Sequence, residues 1–156
     1  MIDFCVLGSG VAGSTIANSL SKKYSVRVFD KARGPGGRSS NKRFKKNLSF
    51  DHGVQYISPK SKEFKKLIQR LFKKKIFKAW GGNHLDFTFE KKPHSIKYIG
   101  NKGNNALIKY QLRGIKQFFN SQIIRAEYKK KFWEITLKDK SKHQFKALII
   151  TCPFPQ

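Results

Sequence analysis

Six residues near the start of the chain have the spacing of a phosphate-binding turn. Residues 8–13 read Gly-Ser-Gly-Val-Ala-Gly, the pattern G-x-G-x-x-G. In such a turn Gly8 would allow a tight bend, Gly10 would let a pyrophosphate approach the backbone, and Gly13 would let a helix pack closely on a sheet. Val11 and Ala12 would open that helix, whose first N–H groups and positive dipole end attract phosphate. These residues predict a dinucleotide site; the alternative is a glycine turn in an unrelated α/β domain.

An acidic residue and a second glycine-rich segment follow. Asp30 lies about where a carboxylate accepts hydrogen bonds from the ribose of a dinucleotide, and it would repel a ribose 2′-phosphate. Residues 31–38 then read Lys-Ala-Arg-Gly-Pro-Gly-Gly-Arg. This segment, which includes Lys31 and Gly37, would fold back across the pyrophosphate, and the planar guanidinium of Arg38 would pair with phosphate oxygens. The alternative for this second segment is a flexible basic loop. The first glycine motif and Asp30 do not by themselves distinguish an FAD site from an NAD site.

The elements around these motifs have the pattern of a βαβ unit. Residues 2–7 form an apolar run typical of a buried parallel strand, residues 12–23 predict a helix, and residues 25–30 predict a second strand that ends in the acid. Residues 31–49 are rich in Gly, Arg, Ser and Lys and predict an extended loop. The first glycine motif would therefore connect a strand to a helix, which is the context that a dinucleotide fingerprint requires.

The rest of the chain predicts a mixture of helices and strands. An amphipathic helix is expected from Pro59 to Lys74 and a short helix over residues 103–112. Strands are expected over residues 85–90, 96–99, 122–128, 132–137 and 145–151, with turns around Lys130 and in residues 138–142.

The motifs together resemble a known family. Asp30, the run FDKARGPGGR and the later run FDHGVQY resemble the amine-oxidase-like flavoproteins, and most of all the renalase-like FAD-dependent oxidoreductases. The resemblance implies an α/β fold with a Rossmann-like FAD-binding βαβ core of the GR2 type and a partial α+β substrate region. It also implies that Gly53, Gln55 and Tyr56 lie near the flavin, and that Asn104 stands where relatives carry Met. The candidate cofactor-binding residues are then Gly8, Gly10, Val11, Ala12, Gly13, Asp30, Lys31, Gly37, Arg38, Gly53, Gln55 and Tyr56.

The same resemblance implies an activity and a division of the chain. Renalase-like enzymes use FAD to oxidise a reduced substrate, a dihydronicotinamide or in other relatives an amine, and pass the electrons to oxygen. Residues 1–57 with 143–156 would form the FAD-binding domain, and residues 58–142 would begin an inserted substrate domain. Family members continue for about the same length beyond Gln156, so a complementary C-terminal half is an expected partner. The alternative function is a non-catalytic FAD- or NAD-binding fragment, or a subunit of a split oxidoreductase. No catalytic residue stands out.

Composition limits the other classes of function. The chain has 34 Lys and Arg against 9 Asp and Glu, a formal charge of +25, which leaves a basic nucleic-acid-binding protein as a remote alternative. Lysines are scattered in short runs and outnumber arginines, which favours a solvated surface instead. Cys5 and Cys152 match no metal spacing, and no apolar run approaches the roughly 20 residues of a membrane span. A cytoplasmic protein without membrane contact and without a metal is therefore expected.

Overall fold

The chain forms two compact units. A computed structural model describes residues 1–45, 48–82, 88 and 96–153. The first unit comprises residues 1–40 and 108–156, and the second comprises residues 41–107. In chain order the elements are β1 (Ile2–Leu7), α1 (Val11–Leu20), β2 (Val26–Phe29), a 3₁₀ turn (Gly37–Ser39), β3 (Asn41–Lys45), β4 (Leu48–Asp51), α2 (Lys62–Lys73), β5 (Phe77–Ala79), β6 (Tyr98–Gly100), α3 (Ala106–Gln111), β7 (Lys116–Phe118), β8 (Ile123–Lys129), β9 (Phe132–Leu137) and β10 (Lys142–Ile150).

The first unit contains a six-stranded sheet with the order β7-β2-β1-β10-β9-β8. Strands β7, β2, β1 and β10 pair in parallel, whereas β10, β9 and β8 pair in antiparallel fashion. Strand β1 therefore has a neighbour close in sequence, β2, and a distant one, β10. The predicted α/β class is confirmed: the protein has a mixed sheet with a parallel part and a Rossmann-like strand–helix–strand unit at its start.

Two apolar clusters lie on opposite faces of β1. Side chains of a strand alternate between faces, so Val6 and Cys5 belong to different clusters. Val6 packs with Ala17 of α1 and Ile108 of α3, and all three are fully buried. Cys5 packs with residues of β2, β9 and β10, among them the fully buried Phe29. Burial raises the pKa of the Cys5 thiol to about 12, so this cysteine is a small core residue without thiolate chemistry.

The second unit combines helix α2 with two antiparallel ribbons, β3–β4 and β5–β6. Helix α2 begins one turn later than the predicted start at Pro59, because the Ser61 side chain accepts a hydrogen bond from the Phe64 N–H at 3.2 Å and caps the helix. Ile68 and Leu71 are fully buried, which confirms the predicted amphipathic pattern.

Several predicted elements differ from those observed. The extended loop predicted for residues 31–49 is wrong, because it contains the 3₁₀ turn and the β3–β4 ribbon, which carries a cross-strand contact between Phe44 and Phe50. The three-residue strands β5 and β7 were not predicted, and β10 begins three residues before Phe145. Lys130 and Lys140 adopt positive φ in the expected turns. The strand predicted over residues 85–90 lies outside the described residues, apart from residue 88 in a turn.

The two units do not follow the predicted domain boundaries. The predicted division fell after residues 57 and 142, whereas the units divide after residues 40 and 107. The difference arises because β7, β8 and β9 pair within the sheet of the first unit. That residues 58–142 begin a substrate domain stays a prediction. In the part of the chain that the structure describes, no helix has the length and apolar character needed to span a membrane.

Candidate dinucleotide-binding site

The first glycine motif forms a turn between β1 and α1 that has no room for a side chain at Gly8 or Gly13. Gly8 has φ +100°, in the region that favours glycine. A Cβ on Gly13 would lie 1.9 Å from the Gly8 carbonyl oxygen and 2.8 Å from Thr151 Oγ1. The Thr151 hydroxyl in turn donates a hydrogen bond to the Leu7 carbonyl oxygen at 2.8 Å. The end of β10 thus closes the turn from the other side.

Helix α1 presents an uncapped N-terminus. Gly10 occupies the N-cap position in an extended conformation, and among the described residues no side chain caps this end. The first turn contains no acidic residue, and Val11 and Ala12 are exposed. The first backbone N–H groups of a helix lack partners within the helix and carry partial positive charge. This end of α1 is therefore suited to an anion such as a phosphate.

The carboxylate of Asp30 is bonded to the glycine turn itself. Its Oδ2 accepts hydrogen bonds from the Ser9 N–H at 2.7 Å and from the Ser9 hydroxyl, and its Oδ1 accepts one from the Ala32 N–H at 2.8 Å. Ser9 is fully buried, whereas Asp30 is half-buried. An ionised carboxylate offers about four acceptor positions. Asp30 therefore holds the turn in place and keeps capacity for a further hydroxyl donor.

The second glycine segment folds against the first. The Gly36 N–H donates to the Ser9 carbonyl oxygen at 3.1 Å, and a Cβ on Gly37 would lie 3.1 Å from the Gly10 Cα. Gly37 has φ +52° and begins the 3₁₀ turn that contains Arg38. The side chains of Arg38 and Lys31 are exposed. The two glycine backbones are thus in contact, with cationic side chains beside them.

A polar contact that the sequence did not reveal ties α1 to α3. Gln111 is buried, and its Oε1 accepts hydrogen bonds from the Ser14 hydroxyl at 2.7 Å and the Thr15 hydroxyl at 3.3 Å. Ser14 directly follows the last glycine of the motif, so this contact positions the first turn of α1. The sequence did not predict these contacts of Gln111 and Thr151. Each contact joins residues that are far apart in the sequence.

The remaining candidate residues lie in the second unit. The structure brings together the glycines at 8, 10, 13 and 37 with Asp30 in the first unit, whereas Gly53, Gln55 and Tyr56 are exposed in the second. There the buried Asn104 donates from Nδ2 to the carbonyl oxygens of Val54 at 2.7 Å and Gln55 at 2.8 Å. The backbone around Gln55 is therefore fixed by a residue that the sequence marked only as a departure from relatives.

Comparisons with known proteins agree with a Rossmann-like unit at the start of the chain. Residues 6–71 match the family model described as an NAD(P)-binding Rossmann-like domain. An uncharacterized protein of Methanocaldococcus jannaschii is 40% identical over 53 residues, which are 34% of this chain and 14% of that protein. The residues that the family model matches include the first glycine motif, Asp30 and the second glycine segment.

A solved structure extends the similarity to nearly the whole chain. The crystal structure of the tetracycline destructase Tet(51) superimposes with a TM-score of 0.63 and 13% sequence identity, and it covers 97% of this chain and 38% of that one. At this identity the comparison shows a shared fold. The chain spans less than two-fifths of the length of that protein. Sequence, family model and structure together establish a Rossmann-like α/β fold.

Proposed function

We propose that this chain binds FAD at the two contacting glycine segments and is the FAD-binding part of a renalase-like, amine-oxidase-like oxidoreductase. The observation that carries the proposal is the contact between Gly10 and Gly37, where a Cβ on Gly37 would lie 3.1 Å from the Gly10 Cα. A dinucleotide-binding turn needs only the first segment. A second glycine segment beside it, followed by Arg38, suits a cofactor whose pyrophosphate is covered from both sides.

The residues of the first unit fit such a cofactor. The N-terminus of α1 would bind the pyrophosphate through the N–H groups of Val11, Ala12 and Gly13, and Arg38 would pair with its oxygens. Asp30 would accept a hydrogen bond from a ribose hydroxyl through the capacity that Ser9 and Ala32 leave. When bound, the flavin would supply the redox chemistry, by taking a hydride from a reduced substrate and passing electrons to oxygen. The chain's own part is binding, orientation and electrostatics.

The substrate class and the cellular setting extend this proposal. A dihydronicotinamide or an amine is the substrate that the renalase-like resemblance implies, in a cytoplasmic enzyme. A second candidate function is a non-catalytic dinucleotide-binding subunit. It is favoured by the first unit, where the described candidate residues suit cofactor binding and no catalytic residue stands out. Its cofactor would be NAD if the description of the matching family model applies here. Nucleic-acid binding through the +25 charge is a remote third candidate.

A cofactor titration of matched glycine variants tests the proposal. The purified chain would be mixed with FAD, freed of excess and examined by visible absorption. We expect retained flavin bands in the unsubstituted chain and in the control Gly81→Ala, which lies outside both glycine segments and where a Cβ would meet nothing within 4 Å. In Gly13→Ala the overlap with the Gly8 carbonyl should weaken binding at least about tenfold, or ~1.4 kcal/mol.

The outcomes separate the candidate functions. A colourless chain that binds NAD instead, by calorimetry, would favour the NAD-binding alternative. Flavin that is retained and bleaches on addition of a dihydronicotinamide or an amine would favour the enzyme over a non-catalytic subunit. Equal FAD retention by Gly13→Ala and Gly81→Ala would contradict binding at the glycine turn.

A further inference from the structure

Two aromatic rings and a lysine meet on the surface of the second unit. The rings of Tyr56 and Trp80 are stacked, with centroids 5.5 Å apart and planes inclined by 30°. The ammonium of Lys97 lies 4.4 Å from the centroid of the Tyr56 ring and 5.9 Å from that of Trp80. We refer to Tyr56, Trp80 and Lys97 as the aromatic platform.

Backbone hydrogen bonds hold the three side chains in register. The Trp80 N–H donates to the Lys97 carbonyl oxygen at 2.8 Å. Ile57 and Tyr98, the neighbours of Tyr56 and Lys97, exchange two hydrogen bonds of 2.8 Å each. The three residues therefore lie on three paired backbone segments, which set the spacing of their side chains before any ligand arrives. Such pre-organisation lowers the entropic cost of binding.

The platform is not part of the hydrophobic core. Tyr56 and Trp80 are each 38% exposed, whereas Phe77, on the strand that leads to Trp80, is 1% exposed. A Cβ on Gly81 or Gly82, which follow Trp80, would meet no described atom within 4 Å. Stacked rings that leave more than a third of their surface in water contribute less to folding than buried ones.

We propose that the aromatic platform binds a small planar ring that carries a negative charge, such as an aromatic carboxylate. The ring would stack on the exposed indole or phenol face, because offset stacking of aromatic rings is favourable beyond the area that it buries. The carboxylate would pair with the Lys97 ammonium, which already lies above the rings. The family resemblance also places Tyr56 near the flavin. The proposed FAD site, however, uses only residues of the first unit, so an anionic ring on the platform of the second unit goes beyond the proposed function.

The chain contains an internal control for this proposal. Its two tryptophans are Trp80 and Trp133. Trp133 also lies beside a tyrosine, Tyr128, with centroids 5.5 Å apart and a plane angle of 54°. The two indole N–H groups give separate signals in a ¹⁵N–¹H NMR spectrum, and the Trp80→Phe variant would assign them. One titration of the unsubstituted chain then reports on both aromatic pairs.

Three probes separate the chemical requirements. Benzoate is planar and anionic, benzamide is planar and neutral, and cyclohexanecarboxylate is anionic but not planar. We expect benzoate to shift the Trp80 indole signal along a saturable curve with a Kd on the order of millimolar, as is usual for a fragment of this size. The other two probes should bind at least about threefold more weakly. The Trp133 signal should shift less and without saturation.

A lysine variant tests the role of charge. Lys97→Gln keeps a polar side chain of similar length and should weaken benzoate binding about three- to fivefold, as expected for a partly exposed ion pair. Lys78→Gln, on the neighbouring strand, is the control and should leave the Kd unchanged. Circular dichroism would establish that both variants are folded. Equal shifts at the two tryptophans, equal binding of the three probes, or no Trp80 shift would overturn the proposal. None of these results depends on whether the chain binds flavin.

Discussion

At the scale of single residues, Asn104 organises the segment that the family resemblance places near the flavin. It is 2% exposed and uses its whole side chain. Its Oδ1 accepts a hydrogen bond from the Gly100 N–H at 2.9 Å, and its Nδ2 donates to the carbonyl oxygens of Val54 and Gln55. Its backbone N–H donates to Asp51 Oδ1 at 2.9 Å. A methionine at this position could not make the side-chain bonds, so the hold on the segment depends on the amide of Asn104.

Replacement of Asn104 should therefore destabilise the second unit. Asn104→Met removes the side-chain partners of three buried or part-buried backbone groups, and we expect a loss of about 2–4 kcal/mol in the free energy of unfolding. The matched control is Asn101→Met at an exposed position with a side-chain bond to the Lys75 carbonyl oxygen, which should cost no more than about 1 kcal/mol. Urea unfolding measures both. Similar losses for the two variants would contradict the role assigned to Asn104.

The glycine motifs could be predicted from the sequence because their chemistry is local. Gly8, Gly10 and Gly13 are identified by spacing alone, and the second glycine segment directly follows the βαβ unit in the sequence. The contacts of Thr151 and Gln111 could not be predicted in this way. Each depends on a partner more than 90 positions away, and an isolated threonine or glutamine has no distinctive pattern.

At the scale of elements, an ion pair joins the antiparallel strands of the first unit. Glu134 on β9 accepts hydrogen bonds from the Lys129 ammonium at 2.7 Å and from the Gln144 amide at 3.3 Å. Lys142 lies 3.5 Å from the same carboxylate. The hydrogen bond from Lys129, followed by that from Gln144, lowers the pKa of Glu134 to about 2. The carboxylate therefore links β8, β9 and β10 in its ionised form.

This pair should make the stability of the sheet depend on pH in acid. Because the pKa of Glu134 is lower in the folded chain than its usual value of 4.5, the stabilisation is complete above about pH 4.5 and is lost as the pH falls through about 2. Glu134→Gln should be less stable than the unsubstituted chain at pH 6, and the difference should shrink as the pH approaches 2. Thermal unfolding across this range measures it. Glu127→Gln, on a more exposed pair with Arg125, is the control and should show a smaller difference. A difference that stays constant with pH would refute the assignment.

Long elements were predicted better than short ones, for a physical reason. Strands β1 and β9 were predicted with their observed bounds, and β2, β8 and α1 to within a few residues, since each has a clear apolar pattern. Strands β5 and β7 have three residues each, too few to show a period of two. Strand β3 is exposed along most of its length, so its sequence does not alternate between apolar and polar residues. Its pairing with β4 depends on cross-strand contacts that a local pattern does not contain.

At the scale of the whole molecule, the charge is far from balanced. The chain carries a formal charge of +25, and the described salt bridges involve only a few of its 34 basic residues. Repulsion among the remaining cations opposes the compact state. The chain returns to the first sheet at β7, a strand of three residues that is too short to show a period of two in the sequence.

The charge imbalance predicts that salt stabilises the folded chain. Raising the ionic strength from about 0.01 M to about 0.15 M shortens the Debye length from roughly 30 Å to roughly 8 Å and screens the repulsion. We expect the free energy of unfolding to rise by about 1 kcal/mol, or the Tm by roughly 2–4 °C. Scanning calorimetry in sodium chloride measures the change, with sucrose at equal osmolality as the control. A fall in Tm with salt would mean that the ion pairs outweigh the repulsion.

The pairing of β1 with both a near and a distant strand has a consequence for how the chain folds. β1 and β2 can associate early, because only a short helix separates them. The Thr151 hydroxyl, however, reaches the Leu7 carbonyl oxygen across 144 positions of sequence. The chain loses the entropy of closing this long loop before that contact forms, and distant pairings of this kind slow folding. The glycine turn therefore reaches its final geometry late, so that a nascent or partly unfolded chain has the phosphate-binding motif before it has a rigid site.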